Sequence, residues 1–522
     1  MKRSLALLLA TLMLLTLFTG CGSSGGDTQQ SGGDTQQSGG EGGQTRDSVT
    51  IALTQEPALL DPQLAGDSYS GMVILNLHDP LVRRDSTGTI VPALAESWET
   101  SDDGLSITFH LRQDVKFQDG STMTAEDVAF SLNRAIEKPQ AELFTIAFEN
   151  CEVVDDSTVK LNLKYDEVAA LQYLTQTNNC IVSKAYVEQV GDENYASSPC
   201  GTGPYKLVDW QKGSKLIFEA NEDYFLGAPP IKRLEIRVLK EATTAMVALE
   251  TGDVDLVMNL SALDVPAVKN NDKLAYYETE STSIWNLAFN TKMAPFDNPK
   301  VRQALAMAVN KEDIVNGAMD GGAKVANIIL PEQTTGNPGS DSVETCAYDP
   351  AAAKELLAEA GYPDGFKTQI CVREDYTKKI GSIVQSQWKE IGVEAEVTVM
   401  ERAALLSDIK SGVLPCYTVG NVSMTTDASF LLGTLTTVNI PDSNFTFYSN
   451  PEYDALVEAQ AMEKDPEARK AIVQEALKME ARDVPRIVLF YNTSNIACDK
   501  DLNAKVYPAS EGYFWHELSW NS

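Results

Sequence analysis

Histidine is nearly missing from this chain of 522 residues: there are three, His78, His110 and His516, far apart in sequence and away from any cysteine cluster. No H-E-x-x-H motif and no Walker A loop occurs, so zinc-protease and P-loop chemistry lack their residues. Gly201-Thr-Gly203-Pro204 is without the third glycine and the following helix of a dinucleotide fingerprint. Gly22-Ser-Ser-Gly-Gly26 matches G-x-S-x-G in letters alone, because a nucleophile elbow needs a strand before it and a helix after. The eight cysteines include no C-x-x-C pair, which argues against structural zinc. Positive charge is also short. With 42 Lys+Arg against 74 Asp+Glu the net charge is -32, and no general field attracts a phosphate backbone, so nucleic acid is not an expected partner. The acids are dispersed, as on a solubilising surface, although such a balance also attracts cationic ligands. Scattered carboxylates single out no catalytic pair, and neither an enzyme nor a resident cofactor is expected.

What is present is ordinary globular material, 43% hydrophobic and 22% charged, enough for two to four domains. The first twenty residues read as a secretory signal: Lys2 and Arg3, an apolar run from Leu5 to Phe18 too short to span a bilayer, then Thr19-Gly20 before Cys21. Leu17-Phe18-Thr19-Gly20-Cys21 resembles a bacterial lipobox, which implies lipidation of Cys21, with Phe18 standing where Leu is commonest. Residues 21–46 carry the repeat Ser24-Gly-Gly-Asp-Thr-Gln-Gln30 and Ser31-Gly-Gly-Asp-Thr-Gln-Gln37, with nothing apolar to bury. This is the composition of a flexible tether, with a reach on the order of 25 to 30 Å. Outside the membrane a disulfide is allowed, and Cys180 with Cys200 is the pair expected, buried free thiols being the alternative.

Along the body, strands alternate at Ser48–Leu53, Thr158–Leu163, Lys215–Phe218 and Arg233–Val238. His110 falls on the polar face of the strand Leu105–Arg112. Asn298-Pro299, Asp349-Pro350, Asn450-Pro451 and Asp465-Pro466 each place a side-chain acceptor at a helix cap and proline at the first turn. Thr124 and Asp127 form a capping-box variant that opens a helix from Ala125 to Ile136, and Gly361 stops the helix that starts at Ala351. Strands and helices interleave throughout, so the class is α/β.

Four stretches carry a more specific resemblance. The first runs from Glu56-Pro-Ala-Leu-Leu-Asp-Pro62 through Ile90-Val-Pro-Ala-Leu-Ala-Glu-Ser-Trp98, Asp103-Gly104, Phe109-His-Leu-Arg112, Val115-Lys-Phe117 and Asp119-Gly120 to Thr124-Ala-Glu-Asp-Val128. The others are Gly201-Thr-Gly-Pro-Tyr-Lys206, then Leu287-Ala-Phe-Asn290 with Val301-Arg-Gln-Ala304, then Tyr348-Asp-Pro350 with Ala360-Gly-Tyr362. In this order they resemble the family 5 extracellular solute-binding proteins, the oligopeptide, dipeptide and nickel receptors of ABC importers. The resemblance covers essentially the whole chain after about Asp47. It implies a type II periplasmic-binding-protein fold, bilobed with an additional domain: domain I from 47–88, 200–283 and 492–522, domain II from 89–199, and domain III from 284–491, with hinge crossings near 284 and 491. It also implies a monomer on the outer face of the bacterial cytoplasmic membrane that hands a peptide, or another small molecule, to ABC permease subunits.

In peptide-binding members a Gly-Trp-x-x-Asp pattern in domain III supplies an aromatic wall and a carboxylate for the peptide ammonium. Here the stretch is Gly420-Asn-Val-Ser-Met-Thr-Thr-Asp-Ala-Ser-Phe430, so Asn421 stands where Trp is usual and Met424 where Asp is usual. Asp427 either replaces the clamp from three residues away or caps the following helix. Met424 reads as apolar lining, being a soft, weak metal ligand at best. Ser68 and Tyr69, beside Asp67, lie where members present loop residues to the ligand. Trp285 and Asn286 lie on the crossing strand, Trp285 serving as a stacking platform or as a core or hinge aromatic. The departures at Asn421 and Met424 keep a non-peptide ligand open: a nickel or metal chelate, an opine-like compound or an oligosaccharide.

Overall fold

The strand Ser48–Leu53 buries Val49, Ile51 and Leu53 on one face and lies parallel to Arg233–Val238 on one side and Leu256–Met258 on the other. The structure, a computed structural model, describes residues 46–85, 89–423, 427–504 and 514–521. The signal-like segment, the tether up to residue 45, Cys21 and Met424 lie outside them.

Ser48–Leu53 belongs to an eleven-stranded mixed sheet whose two halves are joined by two long antiparallel strands, Leu274–Phe289 and Arg486–Asp499. On one side of this pair the order continues through Leu256–Met258, Ser48–Leu53, Arg233–Val238 and Lys215–Ala220 to Tyr205–Gln211. On the other it continues through Cys416–Val422 and Lys367–Arg373 to Glu394–Met400. Pairing of the long strands is interrupted between Glu280↔Thr493 and Ile284↔Tyr491. A separate four-stranded antiparallel sheet, Ala95–Thr100, Ser106–Leu111, Thr158–Leu163 and Phe148–Asp155, is covered by the helix Ala125–Glu137.

Each sheet region has its own apolar core. One gathers Ile51, Leu77, Phe218, Ile236 and Trp515, a second Leu94, Phe109, Leu132, Phe148 and Leu161, and a third Phe289, Phe296, Leu305, Val384 and Trp388. The expected helix starts are all present. Asn298, Asp349, Asn450 and Asp465 accept from backbone N–H groups of the first turn, with proline at its start. Thr124 and Asp127 form the full reciprocal box, and Gly361 takes a positive φ of 100° past the helix Pro350–Glu359. His110 is exposed on its strand.

The expected Cys180–Cys200 disulfide is absent, and the thiols of all seven described cysteines are free. Cys180 closes the turn after Thr177–Asn179, where its carbonyl accepts from Gln63, whereas Cys200 packs in the core around the four-stranded sheet. Burial pushes both thiols up, Cys200 to about 11. Low-dielectric packing, rather than a covalent bridge, accounts for these two cysteines.

Gly201-Thr-Gly203 serves packing rather than phosphate binding. A Cβ at Gly201 would lie 2.1 Å from the Leu77 carbonyl oxygen, and one at Gly203 would lie 2.4 Å from the Leu77 carbonyl carbon. The bare backbone lets Gly203 N–H donate to Leu77 O at 2.9 Å, while Thr202 Oγ1 donates to the buried Asp79 carboxylate at 2.8 Å.

Candidate functional site

The short helix Ser68–Ile74 is started by Asp67, whose Oδ1 accepts from Ser70 N–H at 2.9 Å and whose Oδ2 accepts from Ser70 Oγ at 2.6 Å. The start of this helix faces the interrupted part of the long strand pair. Ser68, Tyr69, Met72, Asn259, Ser281 and Asn492–Ser494 surround a space of about 810 Å³. The Tyr69 hydroxyl is within 2.8 Å of Thr54 Oγ1 and accepts from Asn259 Nδ2 at 3.2 Å, which fixes the ring. Ser68 and Ser281 also border a second space of about 1290 Å³ that reaches Leu143 and Phe144, Gln176–Asn178, and Val422 with Ser423. The described walls of this cleft therefore come from all three sheet regions. Asp67 and Tyr69 are their only ionisable side chains.

The other expected site residues are distributed differently. Asn286, fully buried, donates from Nδ2 to Asn421 Oδ1 at 2.8 Å across the strands Leu274–Phe289 and Cys416–Val422. Asn421 is thus tied to its neighbour strand. Trp285 is 8% exposed and packs in the third core, edge-on to Tyr376 with centroids 5.2 Å apart. Its indole lies against Gly420, where a Cβ would stand 3.0 Å from the ring, and the Arg373 guanidinium sits 5.1 Å above it. Of its two expected roles, the core aromatic is the one this packing describes.

Asp427 is 2% exposed; Oδ1 and Oδ2 accept from Arg469 Nη2 and Nη1 at 2.7 and 2.8 Å, and Oδ1 also accepts from Ser429 N–H as the cap of the helix Ala428–Gly433. Of the two roles expected for Asp427, the helix cap is the one this geometry describes, and its charge is met by a fork-shaped, buried cation within the fold. Sequence reading missed Leu143, Asn259, Ser281–Ser283, Val422 and Asn492–Ser494. The one local hint was the hydroxyl run Ser281-Thr-Ser283 inside an otherwise long strand.

The second and third sheet regions also touch directly. Lys464 Nζ meets Asp166 Oδ2 at 3.3 Å, and the neighbouring Glu167 carboxyl is raised above its usual range by burial. Among the described residues no three His, Cys, Asp or Glu side chains gather as a metal site would require, and no helix is long and apolar enough to cross a membrane.

Separate α/β bodies, joined by two long strands and enclosing a cleft of hydroxyl, amide and apolar groups, have the build of a bilobed binding protein of the type II class. The chain belongs to the bacterial extracellular solute-binding proteins of family 5, the description "Bacterial extracellular solute-binding proteins, family 5 Middle" matching residues 89–443. It is 32% identical over 463 residues to heme-binding protein A of Haemophilus influenzae, covering 83% of this chain and 84% of that one. It is 30% identical over 469 residues to the glutathione-binding protein GsiB of Salmonella typhimurium, covering 87% and 91%. Among solved structures, the ABC transporter-associated periplasmic binding protein DppA of Helicobacter pylori, in complex with the peptide STSA, aligns with a TM-score of 0.75 at 26% identity over 91% of this chain and 98% of that one.

Proposed function

We propose that this chain captures peptides between its lobes and delivers them to the permease of an ABC importer, as a monomer held on the outer face of the cytoplasmic membrane by lipid on Cys21. The observation that carries this reading is the cleft of about 1290 Å³, whose walls come from residues 65–75, 140–178 and 281–283 with 422–423. A ligand there bridges parts of the chain that each have a core of their own, which is how binding energy is converted into closure. We assign domain I to 47–88, 200–283 and 492–522, domain II to 89–199, and domain III to 284–491. The separate cores support this division, and the interrupted pairing at Glu280–Ile284 and Tyr491–Thr493 supports a hinge there. The Lys464–Asp166 contact is then a meeting of domains II and III at the rim.

The peptide reading is supported by the likeness to a peptide-bound DppA and to a receptor for glutathione, itself a tripeptide. A second reading, a non-peptide ligand, is favoured by Asn421 in the place of tryptophan, by the commitment of Asp427 to Arg469, and by the likeness to a heme-binding protein. The test is small-angle scattering and thermal melting of the body from Asp47 onward with a saturating pool of tetrapeptides. Peptide capture predicts a smaller radius of gyration and a higher melting temperature. An unchanged profile and melting point with peptide, alongside a response to heme, would favour the second reading.

A further inference from the structure

We infer that the part of the ligand enclosed in this cleft carries no negative charge and presents an apolar side chain to a contact face formed by Leu143 and Val422. This inference rests on the reading of the cleft as the ligand site. The described residues lining its two spaces include no lysine, arginine or histidine. Their single carboxylate, Asp67, already accepts two hydrogen bonds from Ser70. Two cations of the third region are already occupied by acids: Arg373 by Asp375 at 2.8 Å, and Arg469 by Asp427. A carboxylate drawn out of water into this space would meet hydroxyls and amides but no opposite charge, which makes its enclosure costly.

The apolar half of the inference comes from exposure. Leu143 and Val422 are 41% and 50% exposed, large apolar side chains left open to water. One such residue on a surface means little. These two come from segments almost 280 positions apart and border the same space, whose lining also includes Met72, Leu75 and Phe144. A leucine-sized side chain placed among them removes apolar surface from water on both partners, an effect of about tenfold or more in affinity. Ser68, Gln140 and Ser281 along the remainder of the cleft supply partners for an amide backbone without reading its side chains, whereas Asn178 is committed to the Pro62 and Ala65 carbonyls.

The experiment is isothermal titration of the body from Asp47 onward with C-terminally amidated tetrapeptide pools in which Leu, Asp or Lys occupies each position in turn and alanine the others, with glutathione as a separate anionic probe. The native protein should bind the Leu pool at least about tenfold more tightly than the Asp pool, and glutathione no better than the Asp pool. Leu143→Asp and Val422→Asp should each shrink the Leu preference to within about threefold while leaving the melting temperature of the free protein near the parent value, since both side chains are exposed. An Asp pool or glutathione bound as tightly as the Leu pool would overturn the inference while leaving peptide capture standing. A Leu preference that survives both substitutions would overturn the assignment of the contact face. No binding of any peptide would overturn peptide capture itself and this inference with it.

Discussion

Asp427 shows how one side chain decides between two roles. Its position after Gly420 fits a ligand clamp as well as a helix cap, but both its oxygens engage a guanidinium that is itself 5% exposed. Asp427→Ala strands that cation and removes the cap, so unfolding by urea should show a loss of about 3–5 kcal/mol. Arg469→Met added to it should recover part of the loss. A stable Asp427→Ala protein with weakened binding of cationic peptides alone would restore the clamp. A second buried acid, Asp79, has its carboxyl raised to about 6 by burial, opposed by hydrogen bonds from Tyr224 and Thr202. Its neighbour His78 is lowered to about 3 by burial. The signs are opposite. The raised acid contributes stability below about pH 4 that is lost as pH rises through about 6, whereas the lowered base contributes stability above its ordinary 6.5 that is lost as pH falls toward 3. Between pH 4 and 6 the two cancel. Asp79→Asn should therefore gain stability relative to the parent by about 1.4 kcal/mol per pH unit across that window, measured by urea unfolding at pH 4, 5 and 6. A difference that does not change with pH would contradict burial as the cause.

At the scale of elements, the most local signals were the most legible. Asn-Pro and Asp-Pro starts, the Thr124/Asp127 box and Gly361 act within one turn of helix, so the sequence contains all their determinants. The strands Ser48–Leu53 and Arg233–Val238 were equally plain from their alternation. What could not be read locally is what strands do to one another. The Asn286–Asn421 pair follows from antiparallel register between residues 135 positions apart, and the Trp285 environment depends on Gly420 in the neighbouring strand. The cysteines were misjudged for the same reason, since compartment permits a disulfide but only packing decides it. Gly201 gives a direct test of backbone proximity as the reason for its motif. Gly201→Ala should lower stability by more than about 2 kcal/mol in urea unfolding, because the Leu77 carbonyl cannot rotate away as a side chain would. A variant as stable as the parent would mean that the segment tolerates separation from Leu77.

For the whole molecule, the family and the α/β class were legible because their motifs recur in order along the chain, while the cleft was legible only in part. Ser68 and Tyr69 line it with the neighbouring Asp67, yet its remaining described walls are common polar and apolar residues gathered from distant segments, with no charge or motif to announce them. A cleft with one carboxylate and no cation among its described walls, and an Asp427 already met by Arg469, leave hydroxyl, amide and apolar contacts to hold a ligand. Native mass spectrometry of the body from Asp47 onward, as purified and again after denaturation and refolding, tests peptide capture most directly. The account predicts a ladder of bound masses spaced by amino-acid residues, lost on denaturation and restored by added peptide. One discrete non-peptide or metal-containing mass, unaffected by competing peptide, would contradict it.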